Sequence, residues 1–225
     1  MSKELFKYNG NTSGKVDDVF TKDEIIYFVN HLSILPGAKT ISDGNKFTGI
    51  DANHQLYNWF NRKIFTKVQN IFGDHVRLLF GSYLNEIAPW TVHSDYYSKA
   101  IGEPYMAFLI PLSVNNNIEL ADQTNTIVFN EIDTYVDVSP KDKTGAGSNW
   151  MQNESIKENN AMPYYEKHLS HLTDDQLQRV TVQNVLNWKL GSVIYWDEKL
   201  LHSSDNFLAN NLKSKQAIVM HTYVV

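Results

Sequence analysis

A change of period at residue 75 constrains the fold more than any other feature of this chain. Before it, apolar residues recur at helical spacing. After it come short segments rich in β-branched and aromatic residues, separated by polar or Gly/Pro-containing turns. Upstream, Thr21 with Glu24 is a capping-box pattern ahead of Ile25, Ile26, Phe28, Val29 and Leu32. It predicts a helix over 22–33 that Pro36-Gly37 stops. A longer helix is predicted from an N-cap at Asp51 through Leu56, Trp59, Phe60, Ile64, Val68, Ile71 and Phe72 to Gly73. Its aromatic stripe is expected to pack against a sheet. Downstream, 76–84, 90–97, 106–114, 124–129, 134–138, 185–190, 192–196 and 215–225 read as strands, whereas the polar residues 1–20 read as an edge or loop.

Two helices followed by a run of strands predict a mainly β fold, a sandwich or jelly roll with helices on its outer face. One domain over 1–225 is expected: helical support in 1–74 and a jelly-roll core in 75–225, with 139–184 as an insertion. Within it, 139–160 carries Ser139-Pro140 and Gly145-Ala146-Gly147. Long loops of this kind are commonly functional, and this one is expected to act as a lid.

Composition removes several functions. The net charge of −5 gives no electrostatic footprint for nucleic acid or an anionic membrane. The absence of cysteine excludes disulfides, thiolate metal sites and cysteine nucleophiles. No apolar run is long enough to cross a membrane or act as a signal peptide, so a soluble cytoplasmic protein is expected.

The chemistry concentrates at two distant places. In Trp90-Thr-Val-His-Ser-Asp-Tyr-Tyr97, His93 and Asp95 are spaced as neighbours on one face of a strand. Far downstream, His202 follows the apolar run Ser192–Trp196 and a short turn, and is the best candidate for a third ligand. Two histidines and one carboxylate with open positions opposite form the ligand set of non-haem Fe(II) oxygenases. The competing account is a structural His93–Asp95 pair with His202 as a core histidine. His168 and His171, with Asp174 and Asp175 after them, have zinc-like spacing. Thr173 reads as a helix cap that breaks that surface, so a solvated face is expected there.

With these residues in place, the chain resembles the 2-oxoglutarate- and Fe(II)-dependent dioxygenases, in their prolyl 4-hydroxylase-like branch. The resemblance covers about 75–225, with Gly191-Ser-Val-Ile-Tyr-Trp similar to the family's glycine-led penultimate strand. It implies a double-stranded β-helix and a metal triad of His93, Asp95 and His202. It also implies a basic residue on the last strand for the co-substrate's far carboxylate. Lys215-x-Ala217 matches that position best, Lys213 is the alternative, and Tyr83 matches a position that often bonds the same carboxylate. The cofactors implied are Fe(II), 2-oxoglutarate and O2. The reaction implied is decarboxylation of 2-oxoglutarate to succinate with hydroxylation of a C–H bond in a small-molecule or peptidyl substrate. Trp90, Tyr96 and Tyr97 either line the mouth of such a site or belong to the core. Two other readings stay open: a cupin-like metal enzyme that does not use 2-oxoglutarate, which would leave Lys215 exposed, and a non-catalytic jelly-roll module.

Overall fold

A computed structural model describes residues 12–35, 39–40, 44–95, 103–133, 151 and 154–224. Its strands are β1 (Ser13–Val16), β2 (Lys39–Thr40), β3 (Lys46–Ile50), β4 (Val76–Glu86), β5 (Glu103–Val114), β6 (Asn125–Ile132), β7 (Val182–Asn187), β8 (Val193–Asp197), β9 (Leu200–Ser204) and β10 (Lys215–Val224). They form a seven-stranded sheet in the order β1-β8-β5-β10-β4-β3-β2 and a three-stranded sheet in the order β7-β6-β9. Neighbouring strands pair antiparallel, as in a jelly roll.

Alternation along the strands divides the apolar residues between two surfaces of each sheet. Ala107 and Leu109 of β5, Ile194 and Trp196 of β8, and Ala217 and Val219 of β10 face inward. They meet Val128, Leu186 and Leu200 of the small sheet. The opposite face of the large sheet, with Phe108, Ile110, Ile218 and Met220, is covered by the helices through Ile25, Phe28, Phe60, Ile64 and Phe72. The outer face of the small sheet, with Ile127 and Phe129, is covered by Ala161, Leu169, Leu172 and Leu177. The described part of the 139–184 segment therefore packs on the back of the small sheet up to Val180, and its last residues, from Val182, open β7 of that sheet. Thr134–Val138 and most of the expected 139–160 lid lie outside the described residues.

The helix α1 (Lys22–Leu32) starts at Thr21, whose side chain accepts from the Glu24 backbone while the Glu24 side chain accepts in return. The second helical stretch differs from the expected single helix. It runs as α2 (Tyr57–Phe60), a π-helical turn (Asn61–Phe65) and α3 (Thr66–Phe72). The Thr66 hydroxyl donates to the Asn61 carbonyl at 3.0 Å, which favours the wider turn. Asp51 is not its N-cap. The Asp51 carboxylate accepts from Asn53 N at 2.9 Å in a local turn, and the helix begins only at Tyr57, after Leu56. A last short helix, α4 (Asp174–Arg179), starts at the capping box of Thr173 and Gln176.

Two glycines set the packing. Gly81 of β4 lies directly under the Phe60 ring, where a Cβ would collide with it, so α2 sits close on the sheet only because this residue has no side chain. Gly191 precedes β8 at φ +79°, and its carbonyl accepts from both Val19 N and Phe20 N at 2.9 Å, which ties the N-terminal segment to the sheet.

Candidate active site

The segment 90–95 is not the strand expected from its composition. Only His93 pairs, in an isolated bridge to His202 on β9. That bridge sets the site. His93 N donates to the His202 carbonyl at 3.0 Å and His202 N donates to the His93 carbonyl at 2.8 Å. Two residues 109 positions apart thus become a directly opposed pair, with ring centroids 4.2 Å apart. The Asp95 Oδ2 lies 3.3 Å from His202 Nε2. One ligand atom from each of His93, Asp95 and His202 falls within 4.8 Å of the others.

Each histidine is oriented by a backbone carbonyl. His93 Nδ1 lies 2.7 Å from the Thr91 oxygen and His202 Nδ1 lies 3.1 Å from the Leu200 oxygen. A carbonyl only accepts, so each Nδ1 carries the proton and each Nε2 presents a lone pair. This is the tautomer a metal-binding imidazole needs, fixed by partners outside the coordination sphere. Burial and the neighbouring His202 lower His93 to about 4, so it is a neutral ligand at neutral pH. Burial would raise Asp95, but His202 and His221 outweigh it and hold the carboxyl well below the usual range. Two imidazoles, each anchored through Nδ1, and one ionised carboxylate, all converging, fit a divalent iron.

The surroundings keep these groups in place. Ser203 Oγ donates to the Trp90 carbonyl at 2.8 Å, and His171 Nε2 lies 3.1 Å from the same oxygen. The Ser94 hydroxyl, between the ligands, donates to Asp133 at 2.7 Å. The Trp196 ring packs 4.7 Å from that of His202. His168 is buried and His171 half-buried; neither belongs to a solvated face, because His168 and Leu169 turn inward while Tyr165, Glu166 and Lys167 stay exposed. Neither joins the triad. Deeper in the roll, His221 stacks on Phe80 with centroids 4.5 Å apart, and its Nδ1 lies 3.6 Å from Glu198 Oε1. Burial opposes its protonation, but Asp95 and Glu198 raise it on balance.

The candidates for anchoring an anion separate clearly. Lys215 is 2% exposed and lies in the interior of the roll. Its Nζ sits 4.6 Å from the Trp188 ring centre and 5.4 Å from that of Phe207. Its carboxylate partner among the described residues is Glu86, at 3.5 Å. Lys213 is exposed, before the strand begins, and points into solvent rather than the roll. Tyr83 is likewise excluded from the interior. It pairs with Ile218, belongs to the helix-facing cluster, and lines a cavity of about 290 Å³ with Leu32, Leu35 and Asn85. Strand alternation is the reason: Ser82, Leu84 and Glu86 face the interior, so Tyr83 faces the helices. Trp90 lies 5.4 Å from the His93 ring, beside the site, whereas Tyr96 and Tyr97 lie outside the described residues.

Glu86 and Trp188 are the residues sequence reasoning missed. The signal for Glu86 was available: it continues the inward parity of Ser82 and Leu84 one step past the expected strand end. Nothing local marks Trp188 as the floor beneath a lysine.

No family model matches the chain, and no curated protein matches it. Solved structures do. The non-heme alpha ketoglutarate dependent carbocyclase SnoK from nogalamycin biosynthesis aligns at TM-score 0.60 and 11% identity, covering 96% of this chain and 81% of that one. The epimerase SnoN, in complex with Fe3+, alpha ketoglutarate and nogalamycin RO, aligns at 0.57 and 13%, covering 95% and 79%. A Pseudomonas putida prolyl-4-hydroxylase aligns at 0.51 and 6%, covering 96% and 94%. The architecture is therefore the double-stranded β-helix found in those enzymes. Among the described residues no helix is long and apolar enough to cross a membrane.

Proposed function

We propose that this protein is a non-haem Fe(II)- and 2-oxoglutarate-dependent oxygenase that hydroxylates a C–H bond. The observation that carries the reading is a buried ammonium opening onto the same interior as a His-Asp-His triad. Lys215 has three N–H donors, yet among the described residues its contact with Glu86 is long and the Trp188 and Phe207 rings lie against it. A buried cation so placed is suited to a carboxylate that arrives from outside. His202 and Ser204 are two apart on β9 and share the interior face, and Ser204 reaches Glu86 beside Lys215. Triad and lysine are thus linked along one strand edge, where two residues rise about 7 Å, a span suited to a five-carbon dicarboxylate.

His93, Asp95 and His202 would hold the iron, leaving the remaining positions for the 2-oxo acid and O2. Bound together, these supply the oxidising chemistry, with 2-oxoglutarate converted to succinate and CO2 as the substrate C–H bond is oxidised. The chain orients the imidazoles through Thr91 and Leu200, shields the centre with Trp196, and aligns the co-substrate through Lys215. Similar folds carry a carbocyclase and an epimerase as well as a hydroxylase, so hydroxylation rests on the likeness of the triad and lysine arrangement to the prolyl 4-hydroxylase-like branch. The substrate we propose is a small molecule or a peptidyl side chain. Burial of Lys215 counts against a cupin-like enzyme that does not use 2-oxoglutarate.

The test is formation of succinate from 2-oxoglutarate in air with Fe(II). Slow formation without a second substrate is expected from the wild type and none from His202→Ala. A wild-type protein that binds iron but forms no succinate, with or without candidate substrates, would overturn the proposal.

A further inference from the structure

The carboxylate beside Lys215 poses a problem for any acidic co-substrate. Glu86 is 4% exposed, its Oε2 accepts from the Ser204 hydroxyl at 2.8 Å, and it faces Lys215 Nζ at 3.5 Å. A co-substrate carboxylate arriving at Lys215 would place two anions around one ammonium in a dry pocket. Like charges that close in a low dielectric do not both persist.

Resting on the oxygenase reading, we infer that Glu86 is a co-substrate-binding residue that takes up a proton from solvent when the far carboxylate of the 2-oxo acid reaches Lys215. Neutral Glu86 then donates its O–H to that carboxylate while Lys215 supplies the charge. The pocket thus recognises a carboxylate with one ammonium and one carboxylic acid, and one proton enters with each co-substrate.

The groups around Glu86 support this assignment. From β10 comes Lys215, and from β9 comes the Ser204 hydroxyl. The next residue, Asp205, is fully buried, and its carboxylate already accepts from Thr124 Oγ1 at 2.5 Å and from Asn125 N and Nδ2, both at 2.9 Å. It adds negative potential and has no need of Lys215. Trp188 and Phe207 contribute apolar faces only. Burial, first, and the nearby Lys215 push His171 below the ordinary histidine range, against the pull of the Trp90 carbonyl and Asp205, so it brings no second cation at neutral pH. Lys46 of β3 pairs across from Asn85 and lies on the other face of the sheet. One cation therefore faces Glu86, with the Asp205 charge acting on the same carboxyl, before any ligand enters. Burial, first, and the nearby Asp205 push Glu86 above the ordinary carboxylate range, against the pull of Lys215 and Ser204.

The experiment is calorimetric binding to the anaerobic Fe(II) protein in buffers of different ionisation enthalpy, which counts protons. Wild-type protein is expected to take up about one proton with 2-oxoglutarate near pH 8, and its affinity is expected to fall by up to tenfold per pH unit on the alkaline side. A 2-oxo acid lacking the far carboxylate, such as 2-oxobutyrate, is expected to bind with no uptake. Glu86→Gln keeps the shape and a donor, so it is expected to bind 2-oxoglutarate without uptake and with a flat profile. Wild-type binding of 2-oxoglutarate with no proton uptake overturns the inference while leaving the oxygenase reading intact, and needs no variant. Uptake that persists in Glu86→Gln also overturns it. Failure of 2-oxoglutarate to bind, with iron bound, overturns the oxygenase reading and the inference with it.

Discussion

At the scale of single residues, two groups are worth more than their neighbours. Lys215 holds the only ammonium assigned to the co-substrate pocket, and removing it also leaves buried Glu86 without its counter-ion. Lys215→Ala is expected to raise the KM for 2-oxoglutarate at least 100-fold and to destabilise the protein by roughly 3–5 kcal/mol, the usual cost of breaking a buried pair. Steady-state kinetics and denaturant melts check the two effects separately; an unchanged KM would remove Lys215 from the pocket. His93 gives a pH dependence. Its folded value of about 4 lies below the reference 6.5 of an unconstrained histidine. Between those values the unfolded chain holds the extra proton, so His93 makes the metal-free protein lose stability as pH falls from 6.5 toward 4. His221 acts with the opposite sign, because a raised value favours the folded state at low pH and that gain is lost as pH rises. Thermal melts in the presence of a chelator are expected to show a shallower acid slope in His93→Asn than in the wild type. Equal slopes would show that this ring is not held neutral by its site.

At the scale of elements, most strands were legible because β-branched and aromatic runs between turns leave few alternatives. Strands β4, β5, β6, β8 and β10 lie where that pattern puts them, with ends shifted by a few residues. The segment 90–95 misled for a physical reason. Its composition is that of a strand, but its path is fixed by the His93–His202 bridge and by Ser203 and His171 holding the Trp90 carbonyl. Those partners lie far along the chain, and no local pattern encodes them. Tyr83 failed differently. Parity within β4 was readable, but which parity faces the interior depends on register with β10. Helix placement makes its own test. Gly81→Ala drives a methyl into the Phe60 ring and is expected to cost about 1–3 kcal/mol, the range for overpacking, read as a lowered denaturation midpoint. A neutral substitution would mean that α2 rides further from the sheet than described. Thr21→Ala removes the α1 cap and is expected to cost about 1 kcal/mol.

At the scale of the whole molecule, the roll brings together what the sequence keeps apart. The helices cover one face of the large sheet, the 154–180 segment backs the small one, and the interior between the sheets holds the triad at the middle of β9 and the Lys215–Glu86 pair beside its Ser204 end. The triad was readable as residue types, because His-x-Asp with a distant histidine after a strand is a restricted pattern. Its convergence was not readable, since it depends on a bridge between positions 93 and 202. A metal that binds only the folded roll should stabilise all of it: at 100 times its dissociation constant the gain is about 2.7 kcal/mol. Redox-inert Mn(II) is therefore expected to raise the melting temperature of the wild type and to leave His202→Ala unmoved. The most direct measurement is the visible absorption of the anaerobic Fe(II) protein as 2-oxoglutarate is added. A weak metal-to-ligand charge-transfer band is expected in the wild type and none in His93→Ala; a wild-type protein that binds iron yet shows no band at saturating 2-oxoglutarate would contradict the site assigned to His93, Asp95, His202 and Lys215.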